Sequence, residues 1–512
     1  MNVKRILTGL PLALTFVVAS CTWDELPEIN VNPNQSTTPR TSALLTNAII
    51  SLGGINLSTQ AALYAQYVAN KQYTSGDNYQ TINFASDGFY SGPLMDLKKI
   101  IDMNTDEAQK DGVSIDGKNE NQIAMAKILM AYYYLHMTDR WGDLPYEEAL
   151  KGTEGLLRPV FDTQQQIYEK SIQSLKDAAA MIDVSDNSVA GDALLGGDMS
   201  LWIKFANTIR LNAALRLSKV APSTAATEFA DAFSDGVIAL DNSENIRFRY
   251  LNVQTYENPY YNSFVTLGRR DWTIADPLMN LMQLDSYESP HKADYSASHP
   301  YKSQTGQLDV ARDPRLPVYA NPIENTADTY IGMPYGYTEA QAGSVPAAQI
   351  SYLGSTFRQQ NSPAYIFTSA QVAFILAEGA HRGWINAMTA EEYYEQGIYA
   401  SLEQWGVEDG FDDYMLNSIV AFDAGNALEQ IITQKWIAMF PNGYEAWSEW
   451  RRTGFPNLAA PDNALTPNLQ IPRRQAYGLN EASQNAANHA AALSRQGFAA
   501  DDLTGRVWWD VE

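Results

Sequence analysis

The chain has 512 residues, 35 of them basic and 59 acidic, for a formal charge of −24. Repulsion at that net charge argues against any polyanionic partner, so composition excludes a nucleic-acid role. Charged residues make up only 18% while Tyr numbers 29 and Trp 11, which suits a large folded body with many aromatic faces and not a disordered acidic chain. The length allows about three domains, or one long body of helical repeats.

Residues 1–20 read as a signal peptide, with Lys4 and Arg5 ahead of an apolar run over residues 6–19. Val18-Ala19-Ser20-Cys21 has the form of a bacterial lipobox, which makes Cys21 the expected lipidated residue; a plain secretory signal with a chance cysteine is the alternative. Cys21 is the only cysteine, so no internal disulfide can form. Acyl chains contribute about 0.8 kcal/mol per buried methylene, so a multiply acylated Cys21 would hold the protein at a membrane surface. Residue 22 is Thr, not Asp, and likeness to bacterial lipoproteins then favours the outer membrane. No later segment offers the ~20 apolar residues of a spanning helix, since the greasiest, residues 123–137, is interrupted by Lys127.

Residues 21–41 are rich in Pro and Asn and read as a tether. Helical patterning follows over residues 42–70 and again over 94–110, and the run 123–137 is apolar almost all round, as a deep core helix is. Thr163-x-x-Gln166 is a capping box ahead of Tyr168, Ile172, Leu175, Ala179 and Ile182 at helical spacing. Asp198 caps a comparable stripe of Leu201, Phe205, Ile209, Ala213 and Leu217. Residues 242–361 lose this periodicity and predict loops and short strands. Ser362-Pro363 predicts a new helix start, with a stop at Gly383. A further helix starts at Thr389-x-x-Glu392 and ends at Gly406, and another covers about 426–440. Residues 456–512 read as mainly irregular. The predicted fold is mainly α, with helix pairs flanking a long irregular insertion. Pattern alone leaves open whether the pairs are tetratricopeptide-like, with a unit of about 34 residues, or an irregular all-helical domain.

Several stretches carry a family resemblance. The most specific runs Gln434-Lys-Trp-Ile-Ala-Met-Phe-Pro-Asn-Gly-Tyr-Glu-Ala-Trp447-Ser-Glu-Trp450-Arg451-Arg452-Thr-Gly454-Phe-Pro456. It is joined by Asp139-Arg-Trp141-Gly142-Asp-Leu-Pro145-Tyr146, by Trp202-x-x-Phe205-Ala-Asn207 with Arg210, Leu211 and Arg216, and by Asp313-Pro314-Arg315. Ile471-Pro472-Arg473-Arg474 with Tyr477, and the early Asn32-Pro33-Asn34, complete the set. Together they resemble the SusD/RagB family, in particular its SusD-like type two branch. The resemblance implies tetratricopeptide-like helix pairs as scaffold over residues 42–241 and 362–455. Irregular segments over 242–361 and 456–512 then build the ligand face of a domain spanning 42–512. It also implies a lipid-anchored, surface-exposed outer-membrane protein that captures an oligosaccharide, or in some members a peptide, for a SusC-type TonB-dependent transporter. Starch does not carry over, because this branch matches the founding starch binder poorly in its binding loops.

Arg451 and Arg452 beside Trp447 and Trp450, and likewise Arg473 and Arg474, read as structural, since guanidinium groups stacked on indoles and bonded to helix-end carbonyls are a common packing device. Neutral sugars are gripped by aromatic faces with Asn, Asp and Arg collecting the hydroxyls. Two loops have that composition: Tyr73-Thr-Ser-Gly-Asp77-Asn78-Tyr79, and Tyr256 to Tyr261 leading into Arg269-Arg270-Asp271-Trp272. The expected ligand-binding set is Tyr73, Asp77, Asn78, Tyr79, Tyr260, Arg269 and Trp272. No cofactor is expected, and motifs for nucleophilic, phosphate-binding, dinucleotide or zinc chemistry are absent from the sequence. His136, His291, His299, His381 and His489 lack metal-ligand spacing, and Asp102-x-Asn104-x-Asp106 has Glu107 where a calcium loop needs glycine. The chain thus reads as a binding protein and not an enzyme. A surface glycoside hydrolase stays open as the rival, because its two carboxylates need only be near in space.

Overall fold

A computed structural model describes residues 39–186, 189–283 and 312–512. The expected signal peptide, Cys21, the tether up to residue 38, His291 and His299 lie outside these residues. Thr41–Glu512 forms one compact unit. Its longer helices are α1 (Thr41–Asn56), α2 (Thr59–Tyr64), α3 (Met95–Thr105), α4 (Asn119–Trp141), α5 (Gln164–Met181), α6 (Met199–Arg216) and α7 (Pro222–Ser234). Within the insertion lies α8 (Asp276–Gln283), and after it come α9 (Ser369–His381), α10 (Ala390–Gln404), α11 (Ala427–Ala438), α12 (Gly443–Thr453) and α13 (Ala486–Arg495).

Consecutive helices pack on one another, α4 on α5, α6 on α7 and α9 on α10, with α5 also against α6 and α11 against α9. These are the tetratricopeptide-like pairs, and the fold is mainly α. Local chemistry explains their ends. Thr163 and Thr389 form the capping boxes expected of them, and Asp198 accepts from the Leu201 amide at 3.0 Å. Trp141 closes α4 and Gly142 leaves it at φ 84°, a conformation that favours glycine. The midsection of α4 is buried on nearly every side, as its apolar run requires.

Among the described residues, six short strands pair far across the chain. β1 (Val68–Asn70) runs antiparallel to β4 (Trp272–Ile274), β2 (Asn83–Phe84) parallel to β6 (Ala476–Tyr477), and β3 (Ile246–Phe248) antiparallel to β5 (Ala364–Phe367). Two expectations change here. The helix predicted from Ser362-Pro363 begins only after Thr368, whose hydroxyl caps it, because residues 364–367 are held extended against β3. The helical stretch over 42–70 breaks into α1 and α2 and then turns into β1. The tail beyond Pro456, expected to be mainly irregular, carries α13 and β6 among its loops.

Where α4, α6, α9, α11 and α12 converge, charged side chains are buried together. Glu449 accepts from Arg216 at 2.6 Å, from Arg452 at 2.7 Å and from Lys435 at 2.9 Å. Arg452 also makes a two-pronged pair with Glu378 at 2.6 and 2.7 Å, and Arg216 reaches Glu445 at 2.7 Å. Burial alone would raise the Glu449 pKa, but Arg452, Lys435 and Arg216 together hold it well below the carboxylate range. Arg451 lies 3.6 Å over the Trp447 ring and donates to the Asp139 carbonyl at 2.7 Å, so it too is a packing element. Gly443 lets α12 start against α2, where a Cβ would lie 2.2 Å from the Ala61 carbonyl carbon.

Breaking a buried ion cluster by removing one member leaves its partners uncompensated. Glu449→Ala is therefore expected to lower unfolding free energy by about 3–5 kcal/mol in urea titration. A loss under about 1 kcal/mol would show that the cluster is not what holds these helices together. Gly443→Ala should also destabilise, by backbone collision, with the drop read as a lower thermal midpoint.

Candidate functional site

β1 and β4 frame the two loops that the sequence singles out. Their register sets Asn70 opposite Trp272, so the loop after β1 and the loop before β4 emerge side by side. Asp77 closes the first loop by accepting from the backbone amide of Asn70 at 2.8 Å and from its side-chain amide. Burial pushes the Asp77 carboxyl up to about 7, although the Asn70 hydrogen bonds pull the other way. Asn78 donates to the carbonyls of Thr74 at 3.1 Å and Tyr337 at 3.2 Å. These bonds throw Tyr73 outward, at φ 61° and 66% exposed.

The second loop is built from Asn258 and Glu257. Asn258 caps a short turn by accepting from the Tyr260 amide at 2.8 Å, and its side chain donates to the Ser362 carbonyl at 2.9 Å. Glu257 accepts from Asn262, Thr266 and Gln360 at 2.8, 2.7 and 3.1 Å. Arg269 sits at the loop's end, its Nε donating to Asp271 at 2.7 Å and its guanidinium 5.7 Å from the Tyr73 ring centroid. Trp272, partly exposed, packs edge-on to Tyr260 at 6.3 Å and tilted to Phe264 at 6.4 Å.

The seven expected ligand residues thus divide by position. Tyr73, Arg269 and Trp272 lie together at the surface. Asp77, Asn78, Tyr79 and Tyr260 are buried; Tyr79 packs on Tyr64 at 5.9 Å and Tyr335 at 6.4 Å and offers no ring face to solvent. Tyr352 and Arg358 escaped the sequence reading and belong beside Trp272. Tyr352 adjoins Thr273 by a β-bridge, and the Arg358 guanidinium is 5.0 Å from the Phe264 centroid. Nothing in their local sequence marks them; tertiary pairing alone brings them there.

Two recesses elsewhere fit a sugar less well. A cavity of about 50 Å³ beside Asp139, Arg216 and Glu445 has room for a few waters and no sugar ring. A cleft of about 370 Å³ along α11 is lined by amides, including Asn280, Asn426 and Asn457, but its one aromatic, Tyr394, is buried and donates its hydroxyl to the Val420 carbonyl at 2.7 Å. Sugar stacking needs an accessible ring face, so the Tyr73–Trp272 face is the candidate. Among the described residues no helix is long and apolar enough to cross a membrane, and no cluster of three His, Cys, Asp or Glu side chains is placed to hold a metal ion.

The fold has many solved counterparts. A chain described as a chitin-binding protein is 25% identical and superposes with a TM-score of 0.75, covering 92% of this chain and 100% of its own. A chitin-binding SusD homologue of Flavobacterium johnsoniae shows 24% identity and a TM-score of 0.70, with 92% and 98% covered. A SusD homologue of Bacteroides fragilis shows 23% and 0.76, with 92% and 100% covered. No curated protein sequence matches. Residues 33–478 match a family of binding proteins, not of enzymes, so the chain belongs to the SusD-like family described as starch-binding and associating with the outer membrane.

Proposed function

We propose that this chain is a lipid-anchored protein of the bacterial cell surface that captures an oligosaccharide on the Tyr73–Arg269–Trp272 face and delivers it to a SusC-type TonB-dependent transporter. The observation that carries the reading is the convergence of an exposed tyrosine ring, a partly exposed tryptophan ring and a guanidinium on loops that are themselves hydrogen-bonded. Preorganised rings lose little freedom on contact with a sugar, which is what a surface trap for a dilute nutrient needs. The family description and the likeness to a chitin-binding protein favour a glycan over a peptide. Cys21 supplies the anchor in this reading.

The loop that presents Tyr73 is moored by a carboxyl that titrates near neutrality. A folded-state pKa raised above the ordinary 3.8 means that the protonated form is favoured by folding. The stabilisation linked to Asp77 is therefore fully present below the unfolded value and is lost as pH rises through about 7.

Three outcomes follow. Trp272→Ala and Tyr73→Ala should each weaken binding of the best ligand among chitohexaose, maltohexaose and tetragalacturonate by about two- to tenfold in calorimetry. Unchanged affinity in both variants would move the site elsewhere. Affinity purification of the tagged protein from outer membranes should bring down a stoichiometric TonB-dependent barrel, whereas a Cys21→Ser variant should leave the membrane fraction. Finally, the stability difference between wild type and Asp77→Asn, followed by urea unfolding, should shift towards wild type as pH falls from about 8 to about 5. A flat difference would mean that Asp77 does not titrate in that range.

A further inference from the structure

Among the described residues, the proposed ligand face holds two guanidinium groups with no carboxylate at ion-pair distance. Elsewhere, Arg210, Arg216, Arg315 and Arg452 each meet a carboxylate at 2.6–2.8 Å. On the face itself Arg269 is matched by Asp271. Arg270 and Arg358, by contrast, have no carboxylate within ion-pair distance among the described residues. Arg358 is half-buried, and its Nε is shielded from solvent with no acceptor in reach. A shielded donor left unpaired is costly, and more so when it belongs to a charged group.

The surrounding geometry keeps Arg358 in place, while Arg270 is exposed on the loop before β4. Arg358 ends a single turn, Ser355–Arg358, that is tied to the second loop by the Asn258 amide donating to the Gln360 carbonyl at 2.9 Å and by the Gln360 side chain donating to Glu257 at 3.1 Å. Its guanidinium lies on Phe264, which in turn touches Trp272. Arg270 is two residues from Trp272 on the other side. Burial first, and then the nearby Arg270 charge, lower the pKa of Arg358, so the two cations feel each other. Glu257, the nearest carboxylate on the loop, spends both oxygens on Asn262, Thr266 and Gln360, and Asp271 serves Arg269. The chain's −24 charge does not cancel this local excess, since screening at physiological salt limits distant charges to a range of about 8 Å.

We propose that Arg270 and Arg358 form a subsite for a negatively charged substituent, a carboxylate or a sulfate, on the oligosaccharide that stacks at Trp272. The inference rests on the reading of that face as the ligand surface. Charge-assisted bonds to guanidinium groups strengthen as water is excluded, and the planar fork suits both oxyanions. An acidic sugar would complete the unmatched pair, whereas a neutral one would leave it bare.

The test uses the full mature protein in detergent, titrated calorimetrically with tetragalacturonate, its methyl ester, a neocarratetraose sulfate, chitohexaose and tetra-aspartate. One of the acidic sugars should bind about tenfold or more tighter than the neutral sugars, and its affinity should fall as salt rises from about 50 to 300 mM. Arg270→Gln and Arg358→Gln should each remove most of that preference without lowering the melting temperature. The carboxylate and sulfate arms tell which oxyanion is taken. Equal binding of tetragalacturonate and its methyl ester, indifferent to both arginine variants, would overturn the acidic subsite and leave glycan capture standing. Preference for tetra-aspartate over every sugar would also overturn it, as would binding of none of the probes. Dependence on the arginines without dependence on Trp272 would instead overturn the stacking face and keep the anion pair.

Discussion

Glu449 is fully withdrawn from water and touches three cations, each from a different direction: Arg216 of α6, Lys435 of α11 and Arg452 of its own α12. Such a cluster is a poor source of net stability compared with an apolar core of the same volume. What it supplies is direction. Ion pairs at 2.6–2.9 Å tolerate little sliding, so α6, α9, α11 and α12 are registered against one another by partner geometry, while the apolar faces supply the attraction. The arginine-rich motif near residue 450 is this registering device, its charges spent on buried partners.

The scaffold's rigidity is passed on to the loops by hydrogen bonds that begin on regular elements. Asn70, the last residue of β1, donates twice to Asp77, and Lys71 donates its amide to the Asp271 carbonyl at 2.6 Å. The two loops therefore share one seam. Trp272 and Tyr73 can keep a constant spacing because their backbones are fastened to the same pair of strands.

Local chemistry was readable in advance, and long-range pairing was not. Thr163, Thr389, Asp198, Gly383 and Gly406 mark helix ends by side-chain chemistry or turn geometry that involves only their neighbours. Pro363 misleads because the extended state of residues 364–367 depends on β3, more than a hundred residues earlier. The same limit applies at the site. The polar run around Asp77 has the composition of an exposed loop, yet Asp77 and Tyr79 turn inward because Asn70, Tyr64 and Tyr335 receive them. Arg358 is the converse case, an unremarkable residue made significant by what folds beside it.

The pairing of β2 with β6 has a temporal side. Residues 83 and 84, just past the Tyr73 loop, hydrogen-bond in register with residues 476 and 477, and Trp509 donates to Asp139 at 2.7 Å. Such distant partners meet only after the intervening chain has collapsed, and contacts of that span form slowly. During synthesis the amino-terminal loops emerge long before their partners do. The β2–β6 pairing thus closes late, and a chain truncated before β6 would leave β2 without its partner.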